Sequence, residues 1–123
     1  YERYVDTVVE CILTYGSIPI LSTLPSNLTD AAHIEAVLEY NRVLLKVADK
    51  HKIPIWNYWR ALRDLPNQGM SPDGLHPSSG LSDGGTAVFT TEGLQYGFNV
   101  RNLTALQVLD KVYTVVLSDA FQE

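Results

Sequence analysis

The sequence predicts an α/β fold built on a parallel sheet, and three observations carry that prediction. Apolar residues fall alternately into helical stripes and short strand-like runs along the first half of the chain. The triplet Ile18-Pro19-Ile20 returns as Ile53-Pro54-Ile55, one helix-plus-strand unit later. Each triplet opens a β-branched, apolar run of the kind that a strand buried on both faces requires. There is no third copy, so a solenoid is excluded and successive α–β units remain.

The elements follow in order. From Glu2 to Tyr15, Val5, Val8, Val9, Ile12 and Leu13 form one helical stripe, and Gly16 stands where a left-handed cap is often needed. Ser17 to Thr23 reads as a strand, with Pro19 at its beginning because proline has no amide hydrogen to give a ladder. A polar loop from Leu24 to Thr29 leads to Asp30, an N-cap, and to a helix bearing Ile34, Val37, Leu38, Leu44, Leu45 and Ala48. Asn41 shares that stripe and must find a hydrogen bond, for which a tie to a neighbouring loop is the simplest source. Ile53 to Asn57 is the second strand, and Tyr58 to Leu65 a short helix. Pro66 to Gly97 is irregular and dense in Gly, Pro, Ser and Asn. Leu103 to Leu117 closes the chain as a helix capped by Asn102. Two strands make a thin sheet, so the chain reads as part of a larger α/β layer, with ligands expected beyond Thr23 and Asn57 at the carboxyl ends of the strands.

The 123 residues, 46% of them hydrophobic and 19% charged, suit one ordinary domain. A net charge of −5 leaves no electrostatic footprint for nucleic acid or for an anionic membrane surface. No apolar run approaches the ~18 residues that suggest a membrane-spanning helix. Cys11 is the single cysteine, which excludes an intramolecular disulfide and a thiolate zinc site and reads as a buried, inert thiol. His33 and His51 lack the paired spacing of a metal site and read as surface or helix-end residues. Gly84-Gly85 and the Ser and Thr around them suggest a flap rather than a phosphate cradle, because no helix start with basic residues follows. The chain opens at Tyr1 without a methionine or a signal-peptide pattern, and reads as an excerpt or a processed product.

The chemistry concentrates in Gly69-Met70-Ser71-Pro72-Asp73-Gly74-Leu75-His76-Pro77. Ser71-Pro72-Asp73-Gly74 has the residues of a type I turn, which fixes the direction of Asp73 with His76 three positions on. A carboxylate there can accept the Nδ1 hydrogen of the imidazole and leave Nε2 as a general base. The bland alternative is an exposed turn with an incidental histidine.

The order of elements, Gly16 through Pro25, Tyr40-Asn41, Asp73-Gly74-Leu75-His76, and Arg101-Asn102-Leu103-Thr104-Ala105-Leu106 near the end together resemble the C-terminal half of the SGNH (GDSL-type) hydrolases. That resemblance implies a three-layer α/β fold around a parallel sheet, with residues 1–123 as the C-terminal part of a single SGNH-hydrolase-like domain. It implies serine-dependent hydrolysis of carboxylic esters by an esterase, lipase or carbohydrate deacylase, with His76 as base and Asp73 as its partner. An acyl-enzyme would form on the serine and be released by water, with no metal and no cofactor. The sequence departs from the family in lacking the Gly-Asp-Ser nucleophile block, the glycine block and the Gly-x-Asn-Asp block, which lie upstream in the family. Gly80-Leu81-Ser82-Asp83 does not replace them, because it follows the base. Nucleophile and oxyanion donors are therefore expected from a missing N-terminal part, and the chain alone is expected to be inactive. Trp56, Trp59, Met70 and Leu75 are the candidate substrate contacts for an ester, a lipid or an acylated sugar, and the resemblance leans towards a secreted or extracellular bacterial setting. A non-catalytic glycan- or ligand-binding module using Trp56, Tyr58 and Trp59 is the alternative. A phospho-acceptor receiver domain fits the length but opens with a strand, not with an amphipathic helix.

Overall fold

A computed structural model describes residues 1–80 and 85–117. Leu81 to Gly84, which include Ser82 and Gly84 of the expected flap, lie outside the described residues. The elements are α1 (Glu2–Thr14), β1 (Leu21–Ser22), α2 (Ala31–His51), β2 (Ile55–Trp56), α3 (Tyr58–Leu62) and α4 (Gly97–Val112), which continues into a π-helical turn over Tyr113–Leu117. None of these helices is long and apolar enough to cross a membrane.

The expected three-layer parallel-sheet fold is not what these residues form. The chain is mostly helical, and the described residues hold one two-stranded parallel ladder in which Leu21 pairs with Ile55 and Ser22 with Trp56. The reason lies in the flanks of each apolar run. Pro19 and Pro54 cannot donate, so pairing begins after them, with Leu21 N–H on the carbonyl of Pro54 at 3.2 Å. It ends where Thr23 N–H meets the carbonyl of Trp56 at 3.0 Å, because Asn57 then turns the chain into α3 by capping the amide of Arg60 at 3.1 Å. The ribbon turns Ile20 and Trp56 towards Ala105 and Val108 of α4, and Ile55 towards Leu45 and Ala48 of α2.

Helix α2 starts at Asp30, whose carboxylate accepts the amide of His33 at 2.9 Å, and stops at Lys52 in the left-handed conformation, φ 54°. Asn41 is buried and ties α2 to the loop after β1: its Oδ1 accepts Leu24 N–H at 2.7 Å and its Nδ2 donates to Leu24 O at 2.9 Å. Helix α1 lies on α2 through fully buried Val9 and through Lys50, which donates to both oxygens of Asp6. Only one side of α1 is covered, so Val8 is exposed and so is Cys11, contrary to the buried thiol expected.

The principal core joins Tyr58, Leu62, Met70 and Val100, with Leu28, Trp56 and Leu65 packed against it. Helix α4 begins at Gly97, six residues before the expected start at Leu103, and Asn102 is not its cap. Asn102 sits inside the helix and donates to the carbonyl of Thr86 at 2.6 Å. The helix can start early because Gly97 crosses Gly69 so closely that a Cβ on Gly97 would stand 2.0 Å from the carbonyl oxygen of Gly69. Buried Asn99 then holds the preceding loop, accepting from Val88 N–H at 3.1 Å and donating to Gly93 O at 2.9 Å.

Candidate active site

The segment from Met70 to Pro77 folds back on itself as a small hairpin. Met70 and Pro77 face each other as an antiparallel bridge, Ser71 N–H donates to His76 O at 2.7 Å, and Ser71 Oγ donates to Pro77 O at 3.2 Å. At the tip, Gly74 N–H returns to Ser71 O at 2.9 Å, closing the turn that the Ser-Pro-Asp-Gly sequence encodes. Gly74 has φ 71° and presents its carbonyl to Leu28 N–H at 2.7 Å, so the tip is held against the loop before α2. A Cβ there would be strained by the backbone and would press within 3.1 Å of the Leu28 carbonyl carbon.

This frame positions Asp73. Its Oδ1 accepts the amides of Leu75 at 2.9 Å and His76 at 3.0 Å, and its Oδ2 lies 2.7 Å from His76 Nδ1. The Leu75 amide, then the His76 ring and the His76 amide, pull the Asp73 carboxyl down to about 2. An ionised carboxylate only accepts, so Nδ1 of the neutral ring carries the hydrogen and Nε2 the lone pair. The His76 side chain is 69% exposed, and its Nε2 has no hydrogen-bond partner among the described residues.

The same contact occurs a second time. Asp30 Oδ1 accepts the His33 amide at 2.9 Å while Oδ2 lies 2.7 Å from His33 Nδ1. An Asp three residues before a His makes this contact from local geometry alone, here as a helix cap. Two features separate Asp73–His76 from it. The Leu75 amide donates to Asp73 at a full hydrogen-bond distance of 2.9 Å, where the matching Ala32 amide is only the weakest influence on Asp30, and the pair stands on a hairpin whose other strand, through Pro77, borders a cleft formed with α3 and α4.

Leu75 is 48% exposed beside His76, whereas Met70 is 2% exposed and anchors the hairpin in the core. Trp56 is half-buried, with its Nε1–H donated to Thr104 Oγ1 at 3.0 Å and its ring 5.1 Å from Tyr58. Trp59 lines a different cleft with Thr23, Asn41 and Asn57, and Arg63 lies over its ring at 5.6 Å. Structure therefore groups Asp73, Leu75 and His76 at the tip and Trp56 on the wall of the cleft beside Pro77, with Trp59 apart. Among the described serines, Ser22, Ser26 and Ser71 donate to Thr23 O, Gln68 Oε1 and Pro77 O, and Ser78 accepts the Gly97 amide. No described hydroxyl reaches His76.

Sequence reasoning passed over Phe98 and Arg101, which complete the cleft. They stand in the turns of α4 that precede its continuous apolar stripe. Their signal was the spacing of Phe98, Arg101 and Ala105, which extends the helical period backwards.

Asp6, Glu10 and His51 bring possible ligand atoms within 4.8 Å of one another. A cation is already there: Lys50 Nζ lies 2.7 Å from Asp6 Oδ2 and 3.7 Å from Glu10. The cluster works as a clasp between α1 and α2. No family model, no curated protein and no solved structure matches the chain.

Proposed function

We propose that this chain supplies the general-base half of a serine-dependent carboxylic-ester hydrolase. The observation that carries the reading is the Asp73 carboxylate, which engages two amides with one oxygen and His76 Nδ1 with the other, presenting Nε2 to solvent. In the reaction His76 Nε2 takes the proton of a serine hydroxyl as that oxygen attacks the ester carbonyl. It returns the proton to the departing alcohol, and the acyl-enzyme forms. Water, deprotonated by the same nitrogen, then releases the acid. Asp73 keeps the ring in the reactive tautomer and supports its positive charge. In this reading the serine and the oxyanion donors come from a part of the protein outside these 123 residues, because the sequence lacks the Gly-Asp-Ser, glycine and Gly-x-Asn-Asp blocks that carry them in the family it resembles.

The test is fluorophosphonate labelling of the full-length protein beside His76→Ala and His33→Ala. One serine outside this segment should label in wild type and in His33→Ala, and labelling should fall by roughly 10³-fold or more in His76→Ala. Absence of labelling in wild type, or equal labelling in His76→Ala, overturns the reading. The 123-residue chain alone should hydrolyse p-nitrophenyl esters no faster than an equal concentration of free imidazole, and His76-dependent turnover well above that rate would refute the assignment of the nucleophile elsewhere.

A further inference from the structure

The hairpin that carries Asp73 and His76 leaves the core through Asn67, Gln68 and Gly69, three successive residues with positive φ of 47°, 51° and 70°. Glycine takes that conformation freely, whereas an L side chain crowds its own backbone there. Asparagine is among the residues that tolerate it best. Asn67 Nδ2 also donates to Met70 O at 3.0 Å and to Ser71 O at 3.1 Å, bracing the first strand of the hairpin. Glutamine has no such ease. A strained residue persists where its surroundings over-determine it, and such residues gather where a site is aimed.

The Gln68 side chain ties the hairpin to a second segment. Its Oε1 accepts the hydroxyl of Ser26 at 2.6 Å, and Ser26 is 8% exposed in the loop that follows β1. That loop is held at every second residue: Leu24 by Asn41 of α2, Ser26 by Gln68, and Leu28 by the Gly74 carbonyl. The hairpin therefore rests on it at two points, near its base through Gln68 and at its tip through Gly74. Met70 in the core and the Ser78 N–H on Gly69 O seat the base of the hairpin, which leaves the two loop contacts to set its tilt. The His76 side chain is 69% exposed, so the hairpin aims its ring and packing does not.

We infer that Gln68, through Ser26, is a positioning residue that sets the direction in which His76 Nε2 meets the attacking serine. This rests on the hydrolase reading and adds a requirement to it: an intact Asp73–His76 pair is insufficient unless its hairpin is held at both points. A misplacement of about 1 Å costs roughly 10²-fold in rate, so a tie remote from the chemistry has a kinetic signature.

The experiment measures the fluorophosphonate labelling rate and the Tm of the full-length protein in wild type and in Gln68→Ala, Gln68→Gly and Gln68→Glu. Gln68→Ala deletes the tie and keeps the backbone strain, whereas Gln68→Gly deletes both. Tm should therefore be higher in Gln68→Gly than in Gln68→Ala, while both label roughly tenfold to hundredfold more slowly than wild type. Gln68→Glu, whose carboxylate still accepts from Ser26, should label within roughly threefold of wild type. Ser26→Ala should reproduce the slow labelling, and Ser26→Ala combined with Gln68→Gly should fall no further than either alone. The Asp73 carboxyl should still titrate at about 2 in Gln68→Gly, because the pair is built within its own turn. Four results would overturn the inference and leave the hydrolase reading standing: labelling in Gln68→Gly that recovers with Tm, slow labelling in Gln68→Glu, additive losses in the double variant, or an Asp73 midpoint back near 3.8. A wild type that takes no label would overturn both.

Discussion

Asp73 holds its charge because three donors converge on it, and two of them are backbone amides of its own turn. This has a measurable consequence in pH. The folded carboxyl titrates at about 2, below its ordinary 3.8, so its contribution to stability is fully present above the ordinary value and is lost as pH falls towards about 2. A ¹³C titration of the side-chain carboxyl should report that midpoint, and a midpoint near the ordinary value would show that the amides do not hold the group. Asp73→Asn should keep the hairpin, because an amide oxygen still accepts from Leu75 and His76. It should lower labelling of the nucleophile by roughly 10³–10⁴-fold, since the ring loses its tautomer control. This pair was legible in the sequence because everything that makes it is local: a proline, a glycine and a spacing of three. Cys11 was not, since which side of α1 is covered depends on α2, a partner distant in sequence.

At the scale of elements, α1 is held to α2 by a charge clasp and by buried Val9. Lys50 first, then His51, lower the Asp6 carboxyl, so the clasp is complete above the ordinary carboxylate range and weakens as pH falls through the lowered value. Asp6→Asn should speed amide exchange in α1 several-fold and leave α3 and α4 unchanged, and unchanged exchange in α1 would show that the contacts of Asp6 do not hold the pair. Val9→Ala should cost roughly 2 kcal/mol in urea denaturation. The helices α1 and α2 were legible from their stripes, and the cap of α2 from Asp30. The strands were over-read because an apolar run reports burial, whereas a ladder counts donors, and Pro19 and Pro54 remove donors where each run begins. The start of α4 was missed for the opposite reason: it is set by a close approach between Gly97 and Gly69, and backbone proximity leaves no periodic trace in a sequence.

That crossing governs the whole molecule, because it joins the hairpin to α4. Ser78 N–H donates to Gly69 O at 2.8 Å, Ser78 Oγ accepts Gly97 N–H at 2.9 Å, and Ser78 O accepts Phe98 N–H at 3.1 Å. The candidate base and the cleft therefore share a wall but rest on different supports. Asp73–His76 is built within its own hairpin, whereas Tyr58, Phe98 and Arg101 meet only when α3 and α4 are seated. Gly97→Ala should separate the two. Its Cβ would press on a backbone oxygen that cannot rotate away, so α4 must shift, at a cost of about 1–3 kcal/mol in urea denaturation. The cleft lined by Tyr58, Phe98 and Arg101 should be lost with that shift, read as displaced amide resonances of those three residues, while the Asp73 carboxyl should still titrate at about 2. Loss of both together would mean that the hairpin takes its shape from α4, and that the local turn chemistry is insufficient to hold the base. Retention of both would mean that the chain relieves the contact at Gly69 without moving α4.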